Sequence, residues 1–302
     1  MKTLLPLLLL ITAAPSHAKK LNGFNLDDGL IPANKIFRGG PPRDGIPALT
    51  DPKFVTANQT RLRPGDRVIG VYRNGVAKAY PIRILNWHEI VNDAFGKERI
   101  AITYCPLCGT GMVFHSRIEG KRRRFAVSGL LYNSDVLLYD RETDSLWSQI
   151  MKKSVTGPSK GQELRQLPSR HTTWKKWKKL FPKTLVQSFD TGFRRDYNRD
   201  PYVGYENDPG TYFPVGPKDK RLHPKEWVLG VAIGNSRKAY PVKKCSKRVI
   251  KDTLGGKQLE IHCDPKARSA YVRDSKGREL PSTQAYWFAW SSFYPQTNVY
   301  TR

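Results

Sequence analysis

Apolar and polar residues alternate along much of the chain, most clearly in its middle. In "MVFHSRIEGKRRRFAVSGLLYNSDVLLYDRETDSLWSQ" (112–149), turn residues such as Glu119-Gly120 separate the alternating stretches. A period of two predicts strands with one buried face. We therefore expect three or four strands here, inside a central antiparallel β region that spans about 112–189.

The end of this region follows a different period. In "TWKKWKKLF", Trp174 and Trp177 are three positions apart, which places both on one face of a helix. We predict a short helix whose tryptophans face the core and whose lysines face solvent. A basic helix that lies on a membrane surface is the alternative.

Two pairs of segments in the chain resemble each other. "VIGVYRNGVAKAYPI" (68–82) aligns with "VLGVAIGNSRKAYPV" (228–242) at a shift of 160 residues. "EIVNDAFGKERIAITYCP" (89–106) then aligns with "RVIKDTLGGKQLEIHCDP" (248–265) at a shift of 159 residues. Because both matches occur in the same order, we interpret them as an internal repeat.

Each copy of the repeat predicts the same short unit. Two strands joined by a Gly/Asn turn form a hairpin. A short amphipathic helix, closed by Gly96 or Gly255, then leads to a third strand. We therefore predict an α+β, strand-rich fold in which a duplicated β-β-α-β unit, at about 66–106 and 226–265, flanks the central β region.

The N-terminus has the pattern of an export signal. "MKTLLPLLLLITAAPSHAKK" contains a lysine, an apolar stretch and small residues at Ser16 and Ala18. This pattern predicts a cleaved signal peptide over 1–18 and leaves 19–302 as a single domain, a retained amphipathic helix being the alternative. No later stretch is apolar for long enough to span a bilayer. We expect a periplasmic or secreted protein without a transmembrane segment, in a compartment where disulfides persist.

The chain is strongly basic. It has 52 Lys and Arg residues against 26 Asp and Glu residues, a formal net charge of +26 at pH 7. These side chains are spread along the chain, so we predict a generally basic surface and no specific nucleic-acid site. Anionic envelope polymers are the partner that such a surface would attract.

The second copy of the repeat contains two of the four cysteines. Cys245 lies at the start of the predicted helix and Cys263 at the end of the following strand. A helix of about eight residues covers roughly 12 Å, and a strand of about six residues returns about 20 Å in the opposite direction. The two ends therefore meet, and we predict a disulfide between Cys245 and Cys263.

The first copy has different chemistry at the same place. Leu85 and Tyr104 occupy the aligned positions, and His88, Cys105 and Cys108 lie beside them. The repeat therefore predicts that His88 lies close to the turn with the two cysteines. Imidazole and thiolate ligands together suit copper or zinc, and a neighbouring imidazolium lowers the pKa of a thiol.

Three familiar kinds of cysteine site fit "CPLCG" poorly. A thioredoxin-type site needs a helix after its second cysteine, where "GTGMVFHS" predicts a turn and a strand. A zinc ribbon needs a second Cys-x-x-Cys, and a Rieske loop needs a histidine two residues after a cysteine; the sequence has neither. The remaining interpretations are a functional site built from Cys105, Cys108 and His88, or a purely structural pair of cysteines.

Polar and aromatic side chains are dense in "SGLLYNSDVLLYDRETDSLWSQ" (128–149). We expect this segment to bind a small molecule beside the cysteines. The candidate residues are Ser128, Asn133, Asp140, Arg141, Trp147 and Gln149. Glu89 is a candidate partner that would orient His88, although the first turn of a helix also favours an acidic residue.

Several motifs in one order resemble a known family. They are "GGPPRDGIPALTDPKF", "WHEIVND", "TYCPLCGTGMVF", "FAVSGLLYNSDVLLYDRETDSLWSQ" and "GPSKGQELRQLPSRHTTWKKWKKLFPKT". Together they resemble the domain of unknown function 3179, a family of exported or membrane-attached proteins without an established reaction. In that family the first cysteine of the motif is typical, whereas the position of Cys108 often holds Thr or Ser. The resemblance therefore implies that Cys105 is the essential thiol.

Two classes of function are consistent with these patterns. In the first, Cys105, Cys108 and His88 bind a transition metal, copper or zinc, or carry out thiol redox or transfer chemistry. The Cys105 thiolate would then ligate or attack, and His88 would ligate or accept the proton. In the second class, the protein is a non-catalytic basic module that binds anionic envelope polymers, and all four cysteines are structural.

Overall fold

The computed structural model describes residues 19–245 and 249–301. The predicted signal peptide lies outside these residues. Strands dominate the described chain, which has three short α-helices, so the predicted strand-rich α+β class is confirmed. None of the helices in these two ranges is long and apolar enough to cross a membrane.

The helices are α1 (Ile82–His88), α2 (Trp174–Leu180) and α3 (Trp287–Phe293). The strands before α2 are β1 (Lys20–Leu21), β2 (Phe24–Asn25), β3 (Ile36–Arg38), β4 (Leu49–Thr50), β5 (Phe54–Thr56), β6 (Arg67–Arg73), β7 (Val76–Pro81), β8 (Ile90–Phe95), β9 (Glu98–Cys105), β10 (Thr110–His115), β11 (Arg117–Ile118), β12 (Lys121–Arg122), β13 (Phe125–Tyr132), β14 (Asp135–Asp140), β15 (Leu146–Ser148), β16 (Lys153–Ser154), β17 (Gln166–Leu167) and β18 (Arg170–Thr173). The strands after α2 are β19 (Leu185–Gln187), β20 (Trp227–Ile233), β21 (Ser236–Pro241), β22 (Ile250–Leu254), β23 (Lys257–Asp264), β24 (Ser269–Asp274), β25 (Glu279–Leu280), β26 (Thr283–Tyr286) and β27 (Asn298–Val299).

Two parts of the chain, which we call the first half (66–187) and the second half (226–299), arrange their strands in the same way. The order is β18-β6-β7-β19 in the first half and β26-β20-β21-β27 in the second. Four further strands of the first half lie in the order β8-β9-β10-β17, and the remaining strands of the second half lie in the order β22-β23-β24-β25. The hairpins β6–β7 and β20–β21 also have the same register at the aligned residues.

Matching side chains hold each half together. In each half, a helical tryptophan covers a strand glycine so closely that a Cβ atom on the glycine would overlap the ring, and its indole N–H donates to a threonine at 2.9 Å. These sets are Trp177, Gly70 and Thr184 in the first half and Trp290, Gly230 and Thr297 in the second. A lysine and a tyrosine also share one aspartate in each half: Lys78, Tyr80 and Asp93, and Lys238, Tyr240 and Asp252.

Over the residues that the structure describes, the helix predicted between the hairpin and the third strand is wrong in both copies; residues 246–248 of the second prediction lie outside them. The described residues of these stretches form strands β8 and β22, and α1 lies before them in the first half. Gly96 and Gly255 do have positive φ angles, 62° and 54°, but they close hairpin turns. A short apolar stretch that ends at a glycine is compatible with a helix or a strand. Here it forms a strand, because it pairs with the strand that follows it. The predicted β-β-α-β unit is therefore replaced by two successive hairpins.

The first half carries an additional segment between β10 and β17. Strands β11–β16 lie in it, and β13–β16 form a five-stranded sheet with β3 in the order β16-β15-β14-β13-β3. The central region therefore has more strands than the three or four expected. The predicted tryptophan helix is α2, in which Trp174 and Trp177 are buried.

One sheet joins the two halves. Gly111 on β10 is opposite Gln284 on β26, and strands of both halves thereby form a nine-stranded sheet. Close to this pair, the backbone N–H of Tyr286 in the second half donates to the carbonyl oxygen of Cys108 in the first half at 2.9 Å. The turn with the paired cysteines therefore lies where the halves meet.

Candidate functional site

Cys105 and Cys108 lie on the turn of the β9–β10 hairpin. Cys105 ends β9 and is opposite Thr110, which begins β10. Gly109 has a φ of 60°, and the ring of Trp227 lies where its Cβ atom would be. A side chain at this position would strain the backbone and clash with the ring, which explains the glycine after the second cysteine.

A second hairpin tip faces these cysteines. The turn between β13 and β14 consists of Asn133 and Ser134, which have the two positive φ angles, 50° and 62°, of a type I′ turn. Both thiols donate to the carbonyl oxygen of Ser134, Cys108 at 3.3 Å and Cys105 at 3.5 Å. Asp135 follows as the first residue of β14, so the turn brings a carboxylate beside the sulfur atoms.

Asp135 completes a group of three potential metal ligands. One of its carboxylate oxygens and the sulfur atoms of Cys105 and Cys108 lie within 4.8 Å of one another, and all three side chains are buried. Its Oδ2 accepts a hydrogen bond from the backbone N–H of Ile150 at 3.2 Å. Its buried Oδ1 has no hydrogen-bond partner among the described residues. The group therefore includes one polar atom whose interactions are incomplete.

Burial favours the neutral form of all three ligands. It raises the pKa of Asp135 to about 7, and it raises the pKa of the Cys105 thiol and, well above its ordinary value, that of the Cys108 thiol. Both thiols are therefore protonated at neutral pH. A bound cation would reverse this preference, because it would stabilise the thiolates and the carboxylate.

The second half shows that such a turn forms without thiols. Asp264 and Ala267 occupy the positions of Cys105 and Cys108 in the β23–β24 turn. The Asp264 carboxylate accepts a hydrogen bond from the N–H of Ala267 at 3.1 Å and pairs with Lys176 at 2.9 Å. The turn itself does not require cysteines, and this favours a chemical role for those of the first half.

Cys245 and Cys263 form the disulfide predicted for the second half. The prediction is confirmed, although the described residues between them form strand β22 and most of β23 where a helix was predicted before the strand. Leu85 and Tyr104, at the aligned positions of the first half, are buried in its apolar core. Apolar packing there takes the place of the covalent link.

His88 is not a member of the three-ligand group. Its buried ring contacts the carbonyl oxygen of Pro47 through Nδ1 at 2.7 Å and the hydroxyl of Tyr197 through Nε2 at 2.6 Å. Burial lowers its pKa, so the ring is neutral at neutral pH. Both ring nitrogens have partners, and Asp135 takes the place in the group that we expected for His88. The misplaced helix explains the difference, because His88 ends α1 instead of starting a helix after it.

Glu89 is a second buried acid beside the site. Its φ of 55° and ψ of −34° are unusual for a residue with a side chain. Its carbonyl oxygen accepts a hydrogen bond at 2.7 Å from the N–H of Tyr104, the neighbour of Cys105. Burial and the charge of Asp135 raise the pKa of Glu89 to about 8. Glu89 therefore belongs to the surroundings of the thiols, whereas we expected it to orient His88.

Of the residues predicted to bind a small molecule, Gln149 contacts the β9–β10 hairpin and Asn133 forms part of the β13–β14 turn. The Gln149 amide donates to Thr103 Oγ1 at 2.7 Å and to the carbonyl oxygen of Thr110 at 3.4 Å. Its buried Oε1 has no partner within the part of the chain that the structure describes. The Asn133 side chain accepts a hydrogen bond from the N–H of Gly216 at 3.0 Å. Gln149 thus offers a second incomplete polar atom near the β9–β10 turn.

The other predicted residues make contacts within the inserted sheet and its surroundings. Ser128 donates to a backbone carbonyl across the bulge of β13. Asp140 accepts a hydrogen bond from the indole N–H of Trp147 at 2.8 Å. Arg141 forms an ion pair with Asp44 at 2.8 Å. These contacts position the hairpin that carries Asp135.

A loop held by Lys225 packs against the cysteines. The Lys225 ammonium donates to the carbonyl oxygens of Tyr205, Asp208 and Gly210 at 3.2, 3.0 and 2.8 Å, and it lies 3.4 Å from the centroid of the Tyr205 ring. Tyr205 belongs to the same buried cluster as both cysteines. The loop thereby helps to exclude water from the thiols.

Asp135 is the site residue that the sequence analysis missed. The sequence feature that could have indicated it is a charged residue at the start of the apolar strand in "NSDVLLY". What the sequence does not show is that this hairpin tip meets the one with the cysteines. That contact depends on how the inserted sheet packs on the first half.

Comparison with known proteins places the chain in a family. A family model described as "Protein of unknown function (DUF3179)" matches residues 43–297, most of the chain. The chain belongs to this family. The DUF3179 match includes the first half, the second half up to residue 297 and both hairpin tips of the site. No curated protein and no solved structure has a significant match to the chain.

Proposed function

We propose that Cys105, Cys108 and Asp135 bind a transition-metal ion, zinc or copper. The observation that carries the proposal is the convergence of two sulfur atoms and a carboxylate oxygen within 4.8 Å in a buried site. The unpaired Oδ1 of Asp135 supports it, because a buried polar atom without a partner is costly and a metal ion would satisfy it. Thiolate ligands favour Cu(I) and Zn(II) over harder ions.

The charge of the bound ion determines how many of the ligands would be ionised. Two thiolates and one carboxylate would concentrate three negative charges, which the raised pKa values of these groups oppose. Zn(II) would neutralise most of that charge, whereas Cu(I) would neutralise a smaller part. With Cu(I), the two thiolates would suffice as ligands and Asp135 would keep its proton.

Thiol redox chemistry is a second candidate function. Both thiols donate to the same carbonyl oxygen, so the two sulfur atoms lie side by side on one turn. Oxidation would join them in a disulfide, with loss of two protons and two electrons to a disulfide-bearing partner. The Cys105 thiol would attack that partner and Cys108 would then displace it, in agreement with the primary role that the family resemblance implies for Cys105.

We further propose that the protein functions outside the cytoplasm. The signal-like N-terminus and the Cys245–Cys263 disulfide both support this location. The net charge of +26 would hold the protein near anionic envelope polymers.

Metal titration of the full chain tests the proposal. The reduced, chelator-treated protein is titrated without oxygen with Zn²⁺ and with Cu⁺, in competition with a chromogenic chelator. We expect one equivalent of tightly bound metal. Cys105→Ser and Cys108→Ser should each weaken binding by at least about 100-fold, since even residues that only support a ligand contribute 10- to 100-fold.

Two controls distinguish the candidate functions. The double variant Cys245→Ser/Cys263→Ser should bind metal as the unaltered protein does. Metal binding that survives Cys105→Ser would refute the metal site. If no metal binds, and Cys105 and Cys108 instead form a disulfide that a thiol reductant opens reversibly, the redox function replaces it.

A further inference from the structure

A cavity of about 700 Å³ lies where α3 crosses β20 of the second half, and residues within 151–153 and 163–166 of the first half contribute to its wall. Its size is in the range of roughly 300–1,000 Å³ that is typical of small-molecule sites. Neither Cys105 nor Cys108 lines it. It is therefore a candidate binding site separate from the thiol pair.

The first half has a smaller cavity, of about 300 Å³, at the equivalent place. Both cavities lie beside the glycine that the helical tryptophan covers. The matching lining residues include Gly70, Pro168 and Trp177 in the first half and Gly230, Pro281 and Trp290 in the second. The two cavities can therefore be compared directly, as variants of one architectural feature.

One substitution between the halves contributes to the difference in size. In the first half, Tyr72 stacks on Phe181, with ring centroids 4.9 Å apart and planes 21° apart. The equivalent residues of the second half are Ala232 and Tyr294. Alanine leaves open the space that the Tyr72 ring occupies, so Tyr294 faces a wider cavity.

The charges of the two cavities also differ. In the first half, both lining arginines pair with carboxylates: Arg73 with Glu98 at 2.8 Å, and Arg170 with Glu279. In the larger cavity, Glu163 of the first half is the lining carboxylate, and it pairs with Lys153 at 3.3 Å. Three further cations line that cavity, and among the described residues none of them has a carboxylate partner. They are Lys152, Arg237 and Lys257.

Lys152 is held in place by its backbone. Its φ of 57° lies in the left-handed region, its N–H donates to the carbonyl oxygen of Ser148 at 3.0 Å, and its carbonyl oxygen accepts from the N–H of Leu164 at 2.8 Å. A lysine in a strained conformation at a cavity wall points to function at that wall.

We propose that this larger cavity, between the two halves, binds a small organic anion, whose phosphate or carboxylate group contacts Lys152 and whose apolar part packs beside Tyr294. Unpaired cations attract the anionic group. The aromatic and aliphatic lining, which includes Phe293 and Ile233, accepts the apolar part. This site is independent of the proposed metal site, since the two have no ligand or lining residue in common.

Calorimetric titration of the full chain with phenyl phosphate and with benzoate tests the proposal and distinguishes the two anionic groups. Inorganic phosphate serves as the probe without an apolar part. We expect at least one of the two aromatic anions to bind, more tightly than inorganic phosphate and less tightly as salt is added. Lys152→Gln should weaken this binding by at least about tenfold, and Lys152→Arg should largely restore it.

The equivalent residues of the first half suggest two further variants that test the proposal. Ala232→Tyr introduces the ring that narrows the first cavity and should abolish binding of the aromatic anions. Tyr72→Ala opens the first cavity but leaves its cations paired, so binding should not change. The proposal is overturned if neither aromatic anion binds at millimolar concentration, or if Lys152→Gln and Ala232→Tyr, shown to be folded by their thermal transitions, bind as well as the unaltered protein.

Discussion

The β9–β10 turn of the first half and the β23–β24 turn of the second occupy equivalent places but differ in chemistry. The first turn presents Cys105 and Cys108 to a buried carboxylate. The second has Asp264 and Ala267 at those positions and is held by a hydrogen bond between them. Elsewhere in the second half, a disulfide occupies a position that apolar residues fill in the first.

Comparing the two turns distinguishes residues that the fold requires from residues that a chemical function would require. The residues that both halves retain, such as the glycine beneath each tryptophan, maintain the fold. The residues that only one half has are candidates for function or for a local stabilising role. Only the first half carries the inserted sheet that brings Asp135 to its turn, so the site and the insertion belong together.

Replacing Cys108 with alanine, the residue of the second half, should have the largest effect on chemistry and a small one on folding. Cys108→Ala should weaken Zn²⁺ binding by about 100-fold or more, because it removes a ligand. The far-ultraviolet circular dichroism spectrum should not change, since Ala267 supports the equivalent turn.

The reverse exchange provides the control for this prediction. Ala267→Cys adds a thiol to a turn that has no equivalent of Asp135, and it should create no second metal site. Two equivalents of tightly bound zinc in that variant would contradict the role of the inserted sheet.

Removing the disulfide should destabilise the protein without affecting the metal site. Cys245→Ser/Cys263→Ser should lower the free energy of unfolding by roughly 2–4 kcal/mol, measured by chemical denaturation. Cys245→Leu/Cys263→Tyr, which introduces the residues of the first half, should recover part of that loss through apolar packing. If both pairs of substitutions are neutral, the disulfide has no stabilising role.

The sequence predicted the fold class and the likeness of the two hairpins, but only part of each half. Alternating apolar residues identify strands directly, whereas the short stretch at Ile90–Phe95 fits a helix or a strand until its partner is known. The likeness continues to the motifs around Trp177 and Trp290. The insertion changes the spacing from 159 to 113 residues, which concealed that continuation.

The sequence also predicted only part of the candidate site, because one of its contacts joins two separate hairpins. Cys105 and Cys108 are only three positions apart and lie on one turn, so their proximity could be predicted. Asp135 lies beside these cysteines because two separate hairpins are in contact, and no local sequence pattern predicts that contact. His88 was assigned to the site because a misplaced helix changed where its side chain lies.

Substituting either of the two glycines that the tryptophan rings cover should destabilise the protein to a similar extent. Gly70→Ala and Gly230→Ala each place a methyl group where it overlaps a tryptophan ring. Each should therefore lower the free energy of unfolding by about 1–3 kcal/mol. Gly65→Ala, at a glycine with open space around its Cβ position, should change it by less than about 0.5 kcal/mol. A large difference between the first two variants would show that the halves are not equivalent in packing.

The first half should lose stability in acid through His171, a buried histidine for which the second half has no equivalent. Burial and the charge of Arg67 lower the pKa of His171 to about 3, while its unfolded pKa remains near 6.5. The unfolded chain therefore binds more protons between these values, and His171 reduces stability as the pH falls below 6.5. The expected loss between pH 6.5 and pH 5 is roughly 1–2 kcal/mol.

His171→Gln tests this assignment, because the second half has Gln284 at the equivalent position. Chemical denaturation at pH 6.5 and pH 5 should show a smaller loss of stability in the variant than in the unaltered protein. Equal losses in both proteins would mean that His171 is not the source of the sensitivity.

Cobalt substitution tests the central claim most directly, because Co²⁺ reports its own ligands. One equivalent of Co²⁺ added to the reduced, metal-free protein should produce the near-ultraviolet absorption of sulfur-to-cobalt charge transfer. Cys108→Ala should reduce this absorption, and Asp135→Asn should change the visible cobalt bands while the sulfur absorption remains. Stoichiometric Co²⁺ binding without sulfur absorption, or no Co²⁺ binding while both thiols stay reduced, would contradict a metal site at Cys105, Cys108 and Asp135.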